Sequence, residues 1–415
     1  IRQNKPIVRS CSCWGIGLQW TGAENPYPAL NLRQSTMICY VPAETAPGEL
    51  RTALTPTTAA ALIKLGFTMQ AEAGLGAASR YLDDAYTAAG VELVSNPAAA
   101  LSAADLVLRV QKPSPENVAA LKPGALHLSF LDPFNETDLL NDFATAKVSA
   151  VSLEMIPRTT LAQKMDALSS QASLAGYAAV VQAAARVRSA LPMMMTPAGT
   201  IMPCRVFIIG AGVAGLQAIA TAKRMGARVE AFDTRPVVEE QVKSLGARFV
   251  KIDLGDTGQT SGGYAKQLTP EQIAKQQAGM AKICSQADIV ITTAKVFGRK
   301  APTLVTTDMV AGMKAGSVIV DMALETGGNV EGAVAGEDIT TPNGVTILGD
   351  TSLENTVATH ATQVLAANFA AWITHFWDEE SKTLKIDRED EIMQGSLITH
   401  EGAIVHERFA PKPSA

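Results

Sequence analysis

Aromatic side chains make up only 5% of the 415 residues, against 47% hydrophobic residues overall, many of them alanine. A chain so poor in large rings does not suit a β-sandwich core. It suits helices packed closely on sheets. Cationic excess is also missing: 35 Lys and Arg stand against 40 Asp and Glu, a formal charge of −5. That excludes a nucleic-acid surface built on net positive charge. No apolar run reaches the roughly 18–20 residues that a membrane span needs. The nearest, Leu174–Val187 and Val364–Trp377, are interrupted by Gln182 and by Asn368 and His375, and read as buried amphipathic helices. A soluble chain is therefore expected, one able to sit against a membrane partner. The five cysteines, Cys11, Cys13, Cys39, Cys204 and Cys284, are odd in number and lack the spacing of a zinc site or a disulfide framework. They point to a reducing compartment and to no metal.

What is present is alternation. Residues 1–35 stand apart: Arg2, Lys5, Arg9 and Arg33 face a single acid, Glu24. An organelle-targeting remnant and a surface-wrapping extension fit this pattern equally. From Met37, short β runs (Met37–Val41, Phe67–Ala71, Asp105–Val110, Ala125–Phe130, Val148–Leu153) alternate with alanine-rich helical runs. A second set follows at Arg205–Ile209, Arg228–Phe232, Ala247–Val250, Ile289–Thr292, Val318–Asp321 and Val345–Leu348. Two long helical runs, Leu168–Ser189 and Glu354–Trp377, bracket that second set. The pattern predicts an α/β fold: two Rossmann-like, doubly wound parallel-sheet domains flanking a cleft and linked by the two long helices. The expected division is an extension at 1–35, a first domain from 36–167 plus 353–378, a dinucleotide-binding domain at 168–352, and a linker or tail at 379–415. That last stretch holds a β-like run at Ser396–Val405 and a Pro-rich end, "RFAPKPSA".

The clearest chemistry lies in "FIIGAGVAGLQAIATAKRMGARVEAFDTRP", Phe207–Pro236. Gly210, Gly212 and Gly215 form a GxGxxG turn after a strand and before the helix that Val213 opens. The first glycine makes the turn, the second admits a pyrophosphate, and the third lets helix and strand pack. The helix amino end offers unpaired N–H groups to phosphates. Asp233 closes the next strand at the distance of a ribose-binding acid and would repel a 2′-phosphate, which favours NAD(H). Arg235, just beyond, could tolerate NADP(H). Gly74 and Gly76 lack a third glycine and read as a plain loop. No second dinucleotide fingerprint is convincing.

Six stretches carry a resemblance: Pro47–Phe67, Pro157–Tyr177, the glycine turn with "FDTRP", Thr260–Leu268, Ile291–Pro302 and Val320–Asn329. Together they are similar to the alanine dehydrogenase/transhydrogenase family over roughly Met37–Trp377. The block Arg158–Tyr177 resembles the transhydrogenase branch in particular. That resemblance implies a loop reaching the nicotinamide end of the cofactor, matched here by Arg158, Gln163 and Asp166, with Ser169 and Gln171 close behind. Gln163 would bond the carboxamide or ribose, Arg158 and Asp166 would orient one another, and Ser169 would cap the following helix. Read from spacing alone, the same residues fit an ordinary capped helix start equally well. The resemblance also marks Thr234, Thr293, Ala294 and Glu325 as cofactor positions, and Tyr264 as part of a loop that closes over NAD(H).

The dehydrogenase branch handles a keto acid with a lysine and a histidine. Lys112 could match that lysine, but the histidine position falls on Asp132, and the aspartate that branch places near the nicotinamide falls on Glu325. His127 lies four or five residues too early and reads as a core or edge histidine. The acid/base group for a carbonyl oxygen is thus missing. The resemblance accordingly implies hydride exchange between NAD(H) here and NADP(H) on a partner domain, coupled to proton movement in membrane-spanning subunits. It also implies a homodimer. The basic start suggests the matrix side of the mitochondrial inner membrane, with the cytoplasmic side of a bacterial inner membrane as the alternative. Two other readings stay open: an alanine dehydrogenase-like oxidoreductase, and a non-catalytic NAD-binding subunit of a membrane assembly.

Overall fold

A computed structural model describes residues 36–255, 257–258, 268–295 and 298–411. Expectations that fall on residues 1–35, on Tyr264 and on residues 412–415 lie outside the described residues.

The first β runs assemble into one sheet. Its strand order is Ala403–Ile404, Leu397–His400, Ser149–Ser152, Leu126–Ser129, Leu106–Leu108, Ile38–Val41, Thr68–Glu72, Glu92–Val94. The six strands from Ser149–Ser152 to Glu92–Val94 run parallel. Leu106, Leu108, Leu126 and Leu128 are buried on one face with Leu365, Trp372 and Ile373. Tyr40, Val107 and Ala150 are buried on the other with Leu139 and Phe143. Both faces are covered, and Ile38–Val41 and Leu106–Leu108 read as apolar runs, while Thr68–Glu72 nearer the edge alternates buried and half-buried residues.

The second sheet has the order Arg248–Phe249, Arg228–Phe232, Arg205–Ile209, Ile289–Thr292, Val318–Asp321, Thr346–Leu348, Ile339–Thr340. All its pairings are parallel except the last. Strand order reverses between Arg205–Ile209 and Ile289–Thr292, and a crevice opens at such a point beyond the carboxyl ends.

Two helices join the sheets. Ala167–Arg186 lays Ala175, Ala178, Ala179 and Ala183 against Val206, Ile208, Ala218 and Ala222 of the second unit. Ala358–Phe376, entered through a 3-10 turn at Leu353–Val357, packs on the first sheet. Alanine allows the first of these helices close approach, and a Cβ on Gly176 would collide with the carbonyl of Ala214 in the glycine-turn helix.

The described part of the stretch expected as a linker or tail folds onto the first sheet. Asp390 caps a helix at Glu391–Ser396, whose Ile392 and Met393 are buried. Leu397–His400 then pairs antiparallel with Ser149–Ser152. The Thr399 hydroxyl donates to the Val148 carbonyl at 2.8 Å and accepts from the Ala150 amide at 3.1 Å. Buried Leu397 and Ile398 are the reason, since apolar side chains there need a covered sheet edge. A hairpin at Met194–Thr196 and Gly199–Ile201 stands apart from both sheets, and every residue of its strands is exposed.

Candidate functional site

The glycine turn is shaped by close approach. Gly210 sits at φ +102°, and a Cβ there would strike the Thr293 hydroxyl. A Cβ on Gly215 would strike the Gly210 carbonyl. Gly212 faces open space instead. The helix Val213–Arg224 starts at Gly212 with no side-chain cap, so its first amides are left for a ligand. Val213 is itself 42% exposed at that end. A turn without Cβ atoms, an uncapped helix start and open space at the middle glycine fit a dinucleotide pyrophosphate.

Thr293 and Ala294 border the same turn from the neighbouring strand. The Thr293 hydroxyl donates to the Gly210 carbonyl at 3.2 Å. Ala294 is held on both sides by Asn329, which accepts from its amide and donates to its carbonyl, each at 3.1 Å. Asn329 is in turn fixed by Asp321, a fully buried carboxylate. Asp321 accepts from the amides of Ala323, Asn329 and Val330 and from the Thr292 hydroxyl. The sequence motifs do not single out Asp321 or Asn329. The available signal is an acid at the end of an apolar strand, followed by a glycine-rich turn.

Asp233 ends its strand as expected, but its carboxylate is already occupied. One oxygen accepts from the Ala211 amide at 2.8 Å and from the Arg235 guanidinium at 2.7 Å. The other accepts from Arg235 N at 2.8 Å and Nε at 2.9 Å. That fills about four acceptor positions. A further hydroxyl donor would reach Asp233 only if the guanidinium moved aside. Thr234 is half-buried beside it, and its carbonyl accepts from the Thr257 hydroxyl at 2.7 Å.

Arg158, Gln163, Asp166 and Ser169 fall on the connection into the first long helix. Arg158 and Gln163 are exposed, Gln163 on a 3-10 turn at Ala162–Met165. The cap of the long helix is Asp166, not Ser169. Its two oxygens accept from the Ser169 amide at 2.8 Å and the Ser169 hydroxyl at 2.6 Å. Asp166 caps because it stands just before the first helical residue, where its short carboxylate reaches the third amide of the helix. Arg158 and Asp166 line a cleft of about 510 Å³, together with Glu154, Arg388, His406 and Arg408. The same helix that starts at Ala167 passes the glycine turn at Gly176. Nine residues at 1.5 Å set the loop and the turn about 14 Å apart along one rigid rod.

A charged cluster gathers on the first sheet, beyond the carboxyl ends of Ile38–Val41 and Leu106–Leu108. Arg51, only 4% exposed, is ion-paired with Glu49 at 2.6 Å and Glu354 at 2.9 Å and donates to Gln171 at 3.0 Å. Burial works against its charge, but those carboxylates raise its pKa in net. Burial pushes Glu354 above the usual carboxylate range, opposed by Arg51. Glu325, on the second unit, acts on both Arg51 and Glu354 and pairs with Lys295 at 2.7 Å. Burial also pushes Glu44 up to about 7, although the Val110 and Gln111 amides donate to it.

The place expected for a keto-acid histidine holds Asp132, at φ +52°. It lies 3.9 Å from Lys112, whose ammonium also pairs with Glu136. His127 is a core histidine, 1% exposed, its Nε2 3.1 Å from the Ser129 hydroxyl. Burial lowers it to about 3, which favours the neutral imidazole, and its ring is enclosed in the core. No cluster of His, Cys, Asp and Glu suited to a metal occurs among the described residues.

Comparison with known proteins agrees with this geometry. Residues 40–175 match the family model "Alanine dehydrogenase/PNT, N-terminal domain", and residues 179–407 match "Alanine dehydrogenase/PNT, C-terminal domain". The chain is 42% identical over 365 residues to "NAD(P) transhydrogenase subunit alpha" of Cereibacter sphaeroides, covering 88% of this chain and 70% of that one. It is 28% identical over 382 residues to "Alanine dehydrogenase" of Mycobacterium tuberculosis, covering 89% and 95%. A solved transhydrogenase structure from Sinorhizobium meliloti superposes with TM-score 0.77 at 39% identity, covering 89% of this chain and 99% of that one. The chain belongs to the alanine dehydrogenase/PNT family.

Proposed function

We propose that this chain is the NAD(H)-binding alpha subunit of a proton-translocating NAD(P) transhydrogenase, exchanging hydride with NADP(H) held by a partner subunit. NAD(H), when bound, supplies or accepts the hydride. The chain's own residues hold and aim it. Gly210, Gly212, Gly215 and the first amides after Val213 take the pyrophosphate. Asp233 takes the ribose once Arg235 swings away, and Thr293 and Ala294 shape the floor. Arg158, Gln163 and Asp166, with Ser169, present the nicotinamide end. No proton needs moving at this site, so catalysis is positioning and exclusion of water.

The observation that carries this reading is the ion-paired Asp132–Lys112 where carbonyl chemistry would need an acid/base group. An aspartate there, 3.9 Å from Lys112 and without an imidazole, lacks the group that takes and returns a proton at a keto oxygen near neutral pH. Assay with alanine, or with pyruvate, ammonia and NADH, tests it directly. We expect no turnover beyond background, and exchange with NADP(H) once the partner subunit is added. Robust alanine turnover contradicts the proposal, and NADH binding without exchange favours a non-catalytic subunit.

The same reading places the chain at a membrane through membrane-spanning partner subunits. No helix among the described residues is long and apolar enough to cross one. The basic stretch at 1–35 favours the matrix side of the mitochondrial inner membrane over the cytoplasmic side of a bacterial one, which cell fractionation decides. The chain also forms a homodimer on this reading. Supporting it is the detached hairpin, where Met193, Met194, Met195, Ile201 and Met202 are 44–83% exposed. Sedimentation should give twice the chain mass, and Met195→Glu should give the single mass. A wild-type monomer at micromolar concentration contradicts the dimer.

A further inference from the structure

The return helix Ala358–Phe376 reads "ATHATQVLAANFAAWITHF". Its Asn368 lies among apolar residues, 7% exposed, with Leu365, Phe369 and Trp372 as buried neighbours. An amide is costly to bury there unless both its donor and its acceptor are used. Both are used, on two groups of one turn. Nδ2 donates to the Lys164 carbonyl at 2.8 Å, and Oδ1 accepts from the Ser170 hydroxyl at 2.7 Å. The carbonyl can only accept, which fixes the amide's orientation.

The two anchor points bracket a short stretch. Lys164 follows Gln163 directly, on the 3-10 turn Ala162–Met165. Ser170 follows Ser169, inside the first turn of the helix that Asp166 caps. Asn368 thus grips the chain on both sides of Asp166, from an element about 200 residues away in sequence. Ser170's neighbour Gln171 is tied to the same return helix, donating to the Ala361 carbonyl at 3.1 Å. The grip of Asn368 is local to this turn. Thr362, six residues earlier and fully buried, accepts from the Thr52 amide instead.

We propose that Asn368 is a positioning residue for hydride exchange, setting the height and angle of the Gln163–Ser169 turn through the Lys164 carbonyl and the Ser170 hydroxyl. This rests on the assignment of that turn to the nicotinamide end of the site. Asn368 touches neither nucleotide. It limits how far the turn slides along the return helix, and a shift near 1 Å at reacting groups can cost about a hundredfold in rate.

The test uses the full chain assembled with its NADP(H)-binding partner. NADH affinity, single-turnover exchange rate and the isotope effect with deuterated NADH are measured for wild type, Asn368→Ala, Asn368→Asp and Ser170→Ala. We expect Asn368→Ala to slow exchange about ten- to hundredfold, with NADH affinity within about twofold and a larger isotope effect. Asn368→Asp keeps the acceptor for Ser170 but turns a carboxylate towards the Lys164 carbonyl, so it should be as slow as Asn368→Ala. Ser170→Ala loses one anchor only and should fall between. If Asn368→Ala does not fold, Ser170→Ala carries the same expectation of slower exchange at unchanged affinity. A wild-type rate in the folded variants overturns the inference, as does a loss of rate matched by an equal loss of affinity. A wild-type assembly that binds both nucleotides but exchanges nothing overturns the proposed function itself, and that outcome is read before any variant.

Discussion

At the scale of single residues, Asp233 and Arg235 hold opposing demands. The acid stands at the carboxyl end of its strand, within hydrogen-bond reach of the glycine turn through Ala211. Its charge is balanced by the neighbouring guanidinium at 2.7 Å, with side chains 7% and 15% exposed. Asp233→Asn replaces the acid by a neutral amide of the same shape, removes an ionised acceptor and leaves Arg235 without that ion pair. NADH binding should weaken by on the order of 1.5–3 kcal/mol, the range for hydrogen bonds to charged groups. Fluorescence titration measures it, and an unchanged affinity would remove Asp233 from the ribose site. The aspartate's position is legible from sequence because a GxGxxG turn and a strand-ending acid have a fixed spacing. Its pairing with Arg235 is not, since two nearby residues in a sequence give no hint of where the second side chain folds back. The same limit applies to Asp166 and Ser169. Both residues stand out in the sequence, but which of them caps the helix depends on backbone angles rather than residue type.

At the scale of elements, the long helix Ala167–Arg186 joins the Asp166 turn to the glycine-turn helix. It begins at the Asp166 cap and touches the glycine-turn helix at Gly176, where the Ala214 carbonyl leaves no room for a side chain. Gly176→Ala forces the two helices apart, so it should cost about 1–3 kcal/mol of stability, as overpacked cores do, and weaken NADH binding with it. Denaturant unfolding and the same titration check both. Full stability in the variant would show that this contact does not set the spacing. Both long helices are legible from their apolar periodicity. The short edge strands Glu92–Val94 and Ile339–Thr340 and the exposed hairpin at Met194–Ile201 are not. They are too short or too exposed to leave a hydrophobic period. The segment around Leu397–His400 leaves a β signal, but only its pairing partner on the first sheet, far away in sequence, shows that it belongs to the domain.

At the scale of the molecule, the proposed function gives the two parallel sheets different parts of one task. The second sheet offers an uncapped glycine turn at its switch point, fit for a phosphate. The first holds the buried Arg51–Glu49–Glu354 cluster, on which Glu325 also acts. Alternating strand and helix patterns make the two sheets legible. The cluster is not, because its members are drawn from residues 49–51, 171, 325 and 354, which only the fold brings together. The division of labour rests on one claim: this site aims a hydride and moves no proton. Tracing the label tests it most directly. The full chain and its NADP(H)-binding partner are given NADH deuterated at the transferable position, in ordinary water, with NADP⁺ as acceptor. The account predicts that the NADPH formed carries the deuterium, with none lost to solvent. NADPH formed without the label, or deuterium released to water, would contradict it.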